Sequence, residues 1–149
     1  LFALSASGYA RQTRAELAEK WMHQGKLAHL VDQPARRLSG GEQQRLSLVR
    51  ALCCNPEILF LDEPCAHLDV NAAQDVEALI KSAIEAGIKV VMITHDRAQA
   101  RRFGGEILLM EDGQVKAQEG AALFFGPSQN PWTQAFLQGY EISDAEAET

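Results

Sequence analysis

Leu38-Ser39-Gly40-Gly41-Glu42, followed downstream by Ile58-Leu59-Phe60-Leu61-Asp62-Glu63-Pro64, is the stretch that decides the fold. In the first segment a serine and two glycines stand directly before Glu42-Gln43-Gln44-Arg45-Leu46-Ser47-Leu48-Val49-Arg50-Ala51-Leu52. The apolar residues of that run recur at helical spacing, so Ser39 is expected to cap a helix. Unpaired N–H groups and the positive end of the macrodipole converge at such a helix start, and the side-chain-free Gly40 and Gly41 let a phosphate oxygen come close. The second segment predicts a short buried strand that Pro64 ends. It carries two adjacent carboxylates at its carboxyl end, where open parallel sheets bind ligands. Alternation along the strand sends the two acids to opposite sides: Asp62 toward a Mg²⁺ ion, Glu63 toward a water to be aligned on a terminal phosphate.

A third run, Ile88-Lys89-Val90-Val91-Met92-Ile93-Thr94, is rich in β-branched residues and delivers His95 to another strand end. An imidazole there can donate a hydrogen bond to a γ-phosphate oxygen. Around these elements, period and punctuation predict an amphipathic helix from Thr13 to Gln24 with Leu17, Trp21 and Ala18 inward, broken by Gly25. A short second helix is expected to carry Leu27, Leu30 and Val31. A helix from Asn71 to Ala86 buries Val76, Leu79, Ile80 and Ala83, with Gly87 closing it. Arg97 to Phe103 reads as a short helix, and Asp112-Gly113 as the turn of a hairpin joining Glu106–Met110 to Gln114–Gln118. Brief apolar helices follow at 121–125 and 131–138, and the acidic end, 144–149, reads as disordered.

The order of a signature loop, an Asp62-Glu63 strand, Leu68-Asp69 after a short loop, and Thr94-His95-Asp96 resembles the ATP-binding subunit of an ABC transporter over most of residues 13 to 126. The resemblance implies an α/β fold: a partial P-loop NTPase (RecA-like) ABC ATPase domain, with part of the helical subdomain and a C-terminal hairpin plus short helices. It also implies roles. Ser39, Gly40 and Gly41 would contact the γ-phosphate of ATP held by a partner subunit, Asp62 would coordinate Mg²⁺, Glu63 would polarise the attacking water, His95 would be the switch histidine, and Asp69 would belong to the loop crossing the dimer interface. Glu42 stands where the family most often has glutamine, an acid that suits the first helical turn. Cys65-Ala66-His67 departs from the family's usual crossing loop. The Phe124-Phe125, Pro131 and Trp132-Thr133 tail looks like that of bacterial importers.

The implied function is that of an ATP-hydrolysing subunit coupled to transmembrane permease subunits, working as a homodimer peripheral to the cytoplasmic face of the plasma membrane and importing a small solute. Other readings are a non-transport ABC-type ATPase of DNA repair or translation, and a degenerate non-catalytic cassette. The 149 residues contain no Gly-x-x-x-x-Gly-Lys-Ser/Thr loop and begin at Leu1. The expectation is therefore the carboxyl-terminal portion of a longer subunit, inactive alone, divided into 1–54 (partial helical subdomain with the signature), 55–126 (catalytic core) and 127–149 (tail). Composition agrees with a globular piece, 46% hydrophobic and 23% charged, with no apolar run long enough to span a bilayer. A net charge of −6 gives no general attraction for nucleic acid, and the pairs Arg36-Arg37 and Arg101-Arg102 read as solvated faces. Three cysteines, two of them adjacent, form neither a disulfide framework nor a metal spacing.

Overall fold

The computed structural model describes residues 11–139 of the chain. These divide between Ile93 and Thr94 into two compact units. Among the described residues no helix is long and apolar enough to cross a membrane.

The first unit begins with α1 (Arg11–Gln24), which brings Trp21 into the core at 2% exposure. Gly25 ends it because the chain must pass close to the next helix. A Cβ there would lie 2.8 Å from Val49 Cγ2, closer than real carbon contacts allow. The expected second helix is only a single 3₁₀ turn, Ala28–Leu30. Leu27 is buried but Val31 is 69% exposed, because one turn cannot carry three residues round to a common face.

Helix α2 (Gly40–Leu52) starts at Ser39 as the sequence predicts, and buries Leu48, Val49 and Leu52 together with Arg45. Helix α3 (Val70–Glu85) begins one residue earlier than its apolar period suggests. The earlier start comes from Asp69, whose Oδ1 accepts from the N–H groups of Asn71 and Ala72, each at 2.9 Å. Val76, Leu79, Ile80 and Ala83 are completely buried along its inner face. Gly87, at φ 88°, takes the left-handed position that ends the helix. Helices α1 and α3 both pack on α2.

Strands β1 (Ile58–Asp62) and β2 (Lys89–Ile93) pair in parallel through α3, in a register that sets Leu59 opposite Val90 and Asp62 opposite Ile93. The expectation of a buried β1 is only half met. Leu59 is buried, whereas Ile58, Phe60, Val91 and Ile93 are 45%, 74%, 45% and 60% exposed. The period of two explains the split: Leu59 and Leu61 share one face, Ile58 and Phe60 the other, and that other face is uncovered.

The second unit comprises α4 (Arg97–Phe103), the antiparallel hairpin β3 (Glu106–Glu111) and β4 (Gln114–Gly120), α5 (Ala121–Phe124) and α6 (Pro131–Gln138). Asp112 and Gly113 have φ of 50° and 74°, the two left-handed positions of the predicted hairpin turn. A bulge follows at Lys116, between the pairs Met110–Val115 and Leu109–Ala117. Phe124 is 1% exposed and packs edge-on against Phe125 and tilted against Phe136. Glu119 accepts hydrogen bonds from the hydroxyls of Ser128 and Thr133 at 2.8 Å, and Asn130 caps α6. Arg101, exposed as its reading as solvated expected, also lies over the Phe125 ring and donates to the Phe125 carbonyl, tying α4 to the end of α5. The acidic end, 144–149, lies outside the described residues.

Candidate functional site

The chemistry of the first unit concentrates where helix starts and strand ends converge. At the start of α2 a reciprocal capping box forms: the Ser39 hydroxyl accepts from Glu42 N–H at 3.3 Å, and Glu42 Oε2 accepts from Ser39 N–H at 2.7 Å. The Ser39 N–H, followed by the Ser39 hydroxyl, holds the Glu42 carboxyl below its ordinary range. The amides of Gly40 and Gly41 keep no intrahelical acceptor, and they sit at the positive end of a 13-residue helix.

The two glycines do different work. A Cβ on Gly40 would meet nothing within 4 Å, so that face is open to an approaching anion. A Cβ on Gly41 would lie 2.7 Å from Ala72 Cβ, so Gly41 is small in order to let α2 pack on the first turn of α3. The capped starts of α2 and α3 are thereby neighbours, and Asp69, exposed like Ser39, marks the second of them. The role of Asp69 as a helix cap was missed in the sequence, where the helix seemed to begin at Asn71. The signal was present, an aspartate two residues before that start.

Asp62 is the last strand residue, exposed, on the uncovered face. Glu63 departs from the expected alternation. Its φ is 43°, so it leaves the strand in a left-handed conformation before Pro64 is reached, and the strand ends at Asp62. A residue preceding proline is pushed out of the right-handed helical region, and Glu63 leaves by the rarer of the remaining routes. Glu63 N–H still donates to Ile93 carbonyl at 3.0 Å, and its own carbonyl accepts from Ala66 N–H at 3.0 Å. The two acids are thus separated by a backbone reversal and not by simple strand alternation. In the loop that follows, Cys65 Sγ donates to Ala73 carbonyl at 3.8 Å, a link to α3 that a hydroxyl could also make, and His67 is exposed at φ 61°. None of the three cysteines is in a disulfide, and burial raises the Cys53 thiol.

Sequence reading also passed over Gln44 and Arg45. Gln44 Nε2 donates to the Pro64 carbonyl at 3.0 Å. Arg45, 8% exposed, donates from Nε to Gly25 carbonyl at 3.0 Å and pairs with Asp75 at 3.2 Å; Lys26 pairs with the same carboxylate at 2.6 Å. A polar run inside an amphipathic helix carries no mark that one member is buried and bonded. His95 opens the second unit, two residues beyond Ile93, and is exposed; Asp96 beside it caps α4 through Ala98 and Gln99.

A capped glycine helix start, a parallel pair joined by a helix and a strand ending in paired acids define the class: the fold is that of ABC ATPase cassettes, in part, within the P-loop NTPases. The comparisons agree: over the matched residues the chain is similar to the ATP-binding subunits of ABC transporters. Residues 4–66 match the ABC transporter family model. The general L-amino acid transport ATP-binding protein AapP of Rhizobium johnstonii is 32% identical over 82% of this chain and 48% of its own length. The histidine/lysine/arginine/ornithine transport ATP-binding protein HisP of Escherichia coli is 32% identical over 89% and 52%. Among solved structures, the ATP-binding cassette MJ1267 of an ABC transporter superposes with TM-score 0.70 at 27% identity, covering 83% of this chain and 49% of that one. The cassette MJ0796, in a dimeric state bound to ADP and Pi, superposes with TM-score 0.64 at 33% identity, covering 76% and 50%. The chain therefore spans about half the length of the relatives it matches.

Proposed function

We propose that this chain is the signature-bearing portion of the ATP-hydrolysing subunit of an ABC transporter, energising import of a small solute. The observation that carries this reading is the start of α2. There the cap is completed internally by Glu42, while the space a Cβ of Gly40 would occupy is open and its amide belongs to a helix start suited to a phosphate. Ser39, Gly40 and Gly41 then close on the γ-phosphate of ATP held by a second, identical cassette, and Asp69 lies on the loop that crosses to it. The dimeric state of the related cassette MJ0796 supports that arrangement.

At the strand end the donor set fits Mg²⁺, which takes one or two carboxylates and completes its octahedron with phosphate and water; Asp62 is the exposed carboxylate available. Asp62 would hold the ion, which when bound would supply neutralisation of charge on the transferred phosphoryl group. Glu63 orients and deprotonates the attacking water, and His95 donates to a γ-phosphate oxygen. A complete cassette adds a Gly-x-x-x-x-Gly-Lys-Ser/Thr segment, and the uncovered apolar face of Phe60, Val91 and Ile93 supports a partner layer there. The names of the relatives favour an amino acid or similar polar solute, with permease subunits as membrane partners and the cytoplasmic membrane face as the place of work.

The test is ATP binding and hydrolysis by this chain beside the same chain extended at its amino terminus from its gene. The extended form should hydrolyse ATP with Mg²⁺, and Glu63→Gln should slow turnover by about 100-fold or more while ATP binding persists. Silence of the extended form, or full turnover by Glu63→Gln, overturns the reading.

A further inference from the structure

The first two turns of α2 are held from three sides, and one of the holds reaches the backbone beside Glu63. Gly41 lies against Ala72 at the start of α3. Arg45 bonds the Gly25 carbonyl at the end of α1 and the Asp75 carboxylate on α3. Gln44, one helical turn from the Gly40 and Gly41 amides, donates to Pro64 carbonyl at 3.0 Å across 20 residues of sequence. Pro64 is buried and adjoins Glu63, whose left-handed backbone is pinned on either side by the bonds to Ile93 and Ala66. A displacement of the α2 start therefore pulls on the carbonyl next to the proposed base.

We propose that Gln44 is a positioning residue that couples the signature loop to Glu63 within the same chain. When Ser39, Gly40 and Gly41 close on phosphate, Gln44 carries that movement to the Pro64 carbonyl and sets the Glu63 carboxylate for hydrolysis. Each cassette thus prepares its own base in response to nucleotide bound by its partner. Arg45 supplies the fixed point: bonded to α1 and α3 together, it makes the start of α2 pivot on the core rather than drift. This inference rests on the hydrolase reading above.

The experiment uses the complete subunit and compares wild type with Gln44→Glu and Gln44→Lys. Gln44→Glu keeps the length and the helix propensity but replaces the amide donor by a carboxylate facing a carbonyl oxygen. Gln44→Lys restores a donor on a stem long enough to reach. Gln44→Glu should lower kcat by between about 10-fold and 100-fold, the loss associated with misplacing a catalytic group by about 1 Å, with KM for ATP changed less than about twofold. Gln44→Lys should recover most of the kcat, and all three should unfold at similar temperatures. Equal kcat in wild type and Gln44→Glu overturns the proposal. So does equal loss in both variants, or an effect confined to KM. A wild type that does not hydrolyse ATP, or is indifferent to Glu63→Gln, refutes the hydrolase reading itself and this inference with it.

Discussion

Replacing Gly41 by alanine should destabilise the subunit, and replacing Gly40 should not, although both glycines stand in one motif at one helix start. The difference lies in what a methyl group would meet. At position 41 the new Cβ would lie 2.7 Å from Ala72 Cβ, against an optimal carbon separation of about 3.5–4.0 Å, so α2 and α3 must part by about 1 Å. Overpacking of this kind costs about 1–3 kcal/mol. Alanine returns up to about 1 kcal/mol of helix propensity, less in a first turn, so the expected net loss is about 1–2 kcal/mol. Removing the opposing methyl should undo it: in Gly41→Ala/Ala72→Gly the nearest remaining atom of residue 72 is its Cα, at 3.8 Å, an ordinary contact. Urea unfolding of the complete subunit as wild type, two single variants and the double variant closes a thermodynamic cycle, and the double should be more stable than the sum of the singles by about 1–2 kcal/mol. Gly40→Ala, with nothing within 4 Å, serves as the control and should unfold at or slightly above the wild-type midpoint. Strict additivity in the cycle, or equal destabilisation by Gly40→Ala, would refute the assignment of Gly41 to packing.

Two further outcomes follow from the same unit. Leu79→Ala, deleting a completely buried side chain from the inner face of α3, should cost about 2–5 kcal/mol in the same unfolding assay; a loss under about 1 kcal/mol would mean that this face is not packed. The Glu42 carboxyl, held low by Ser39, should make wild type more stable than Glu42→Gln above the ordinary glutamate range. That advantage should fade as pH falls below the range, because the folded state then loses a carboxylate that the unfolded state has already protonated; a difference independent of pH would remove the charge from the cap.

Most of the architecture was legible because it depends on short-range chemistry. The Ser39 cap, the inner face of α3 and the Asp112-Gly113 turn each follow from a few neighbouring residues, and each is where the sequence placed it. Three features were not legible. The exposure of Phe60 depends on what covers a sheet face, and an apolar run reads alike whether one face is covered or two. The direction of Glu63 depends on a backbone reversal that strand alternation cannot announce. The bonds of Gln44 and Arg45 depend on partners 20 or more residues away, invisible to any local pattern.

The reversal at Glu63 connects these losses. A non-glycine residue at φ 43° costs about 1–3 kcal/mol and persists only where its surroundings over-determine it. The local sequence does not supply that restraint, since glutamate has no preference for the left-handed region and Pro64 only closes the right-handed one. The restraint comes from three long-range or loop-closing bonds: Glu63 N–H to Ile93, Ala66 N–H to Glu63, and Gln44 to Pro64. The first belongs to the strand pair, the second to the loop leading toward Asp69, and the third to the helix that starts at Ser39. A backbone held by three separate elements is sensitive to the position of each, so under the proposed coupling the strain at Glu63 is what would let the helix that starts at Ser39, the strand end and the loop toward Asp69 act on one group. If the strain were relieved, as by Glu63→Gly, altering Gln44 should speed local amide exchange at Ala66 less than it does with glutamate in place, with the global unfolding midpoint unmoved in both backgrounds.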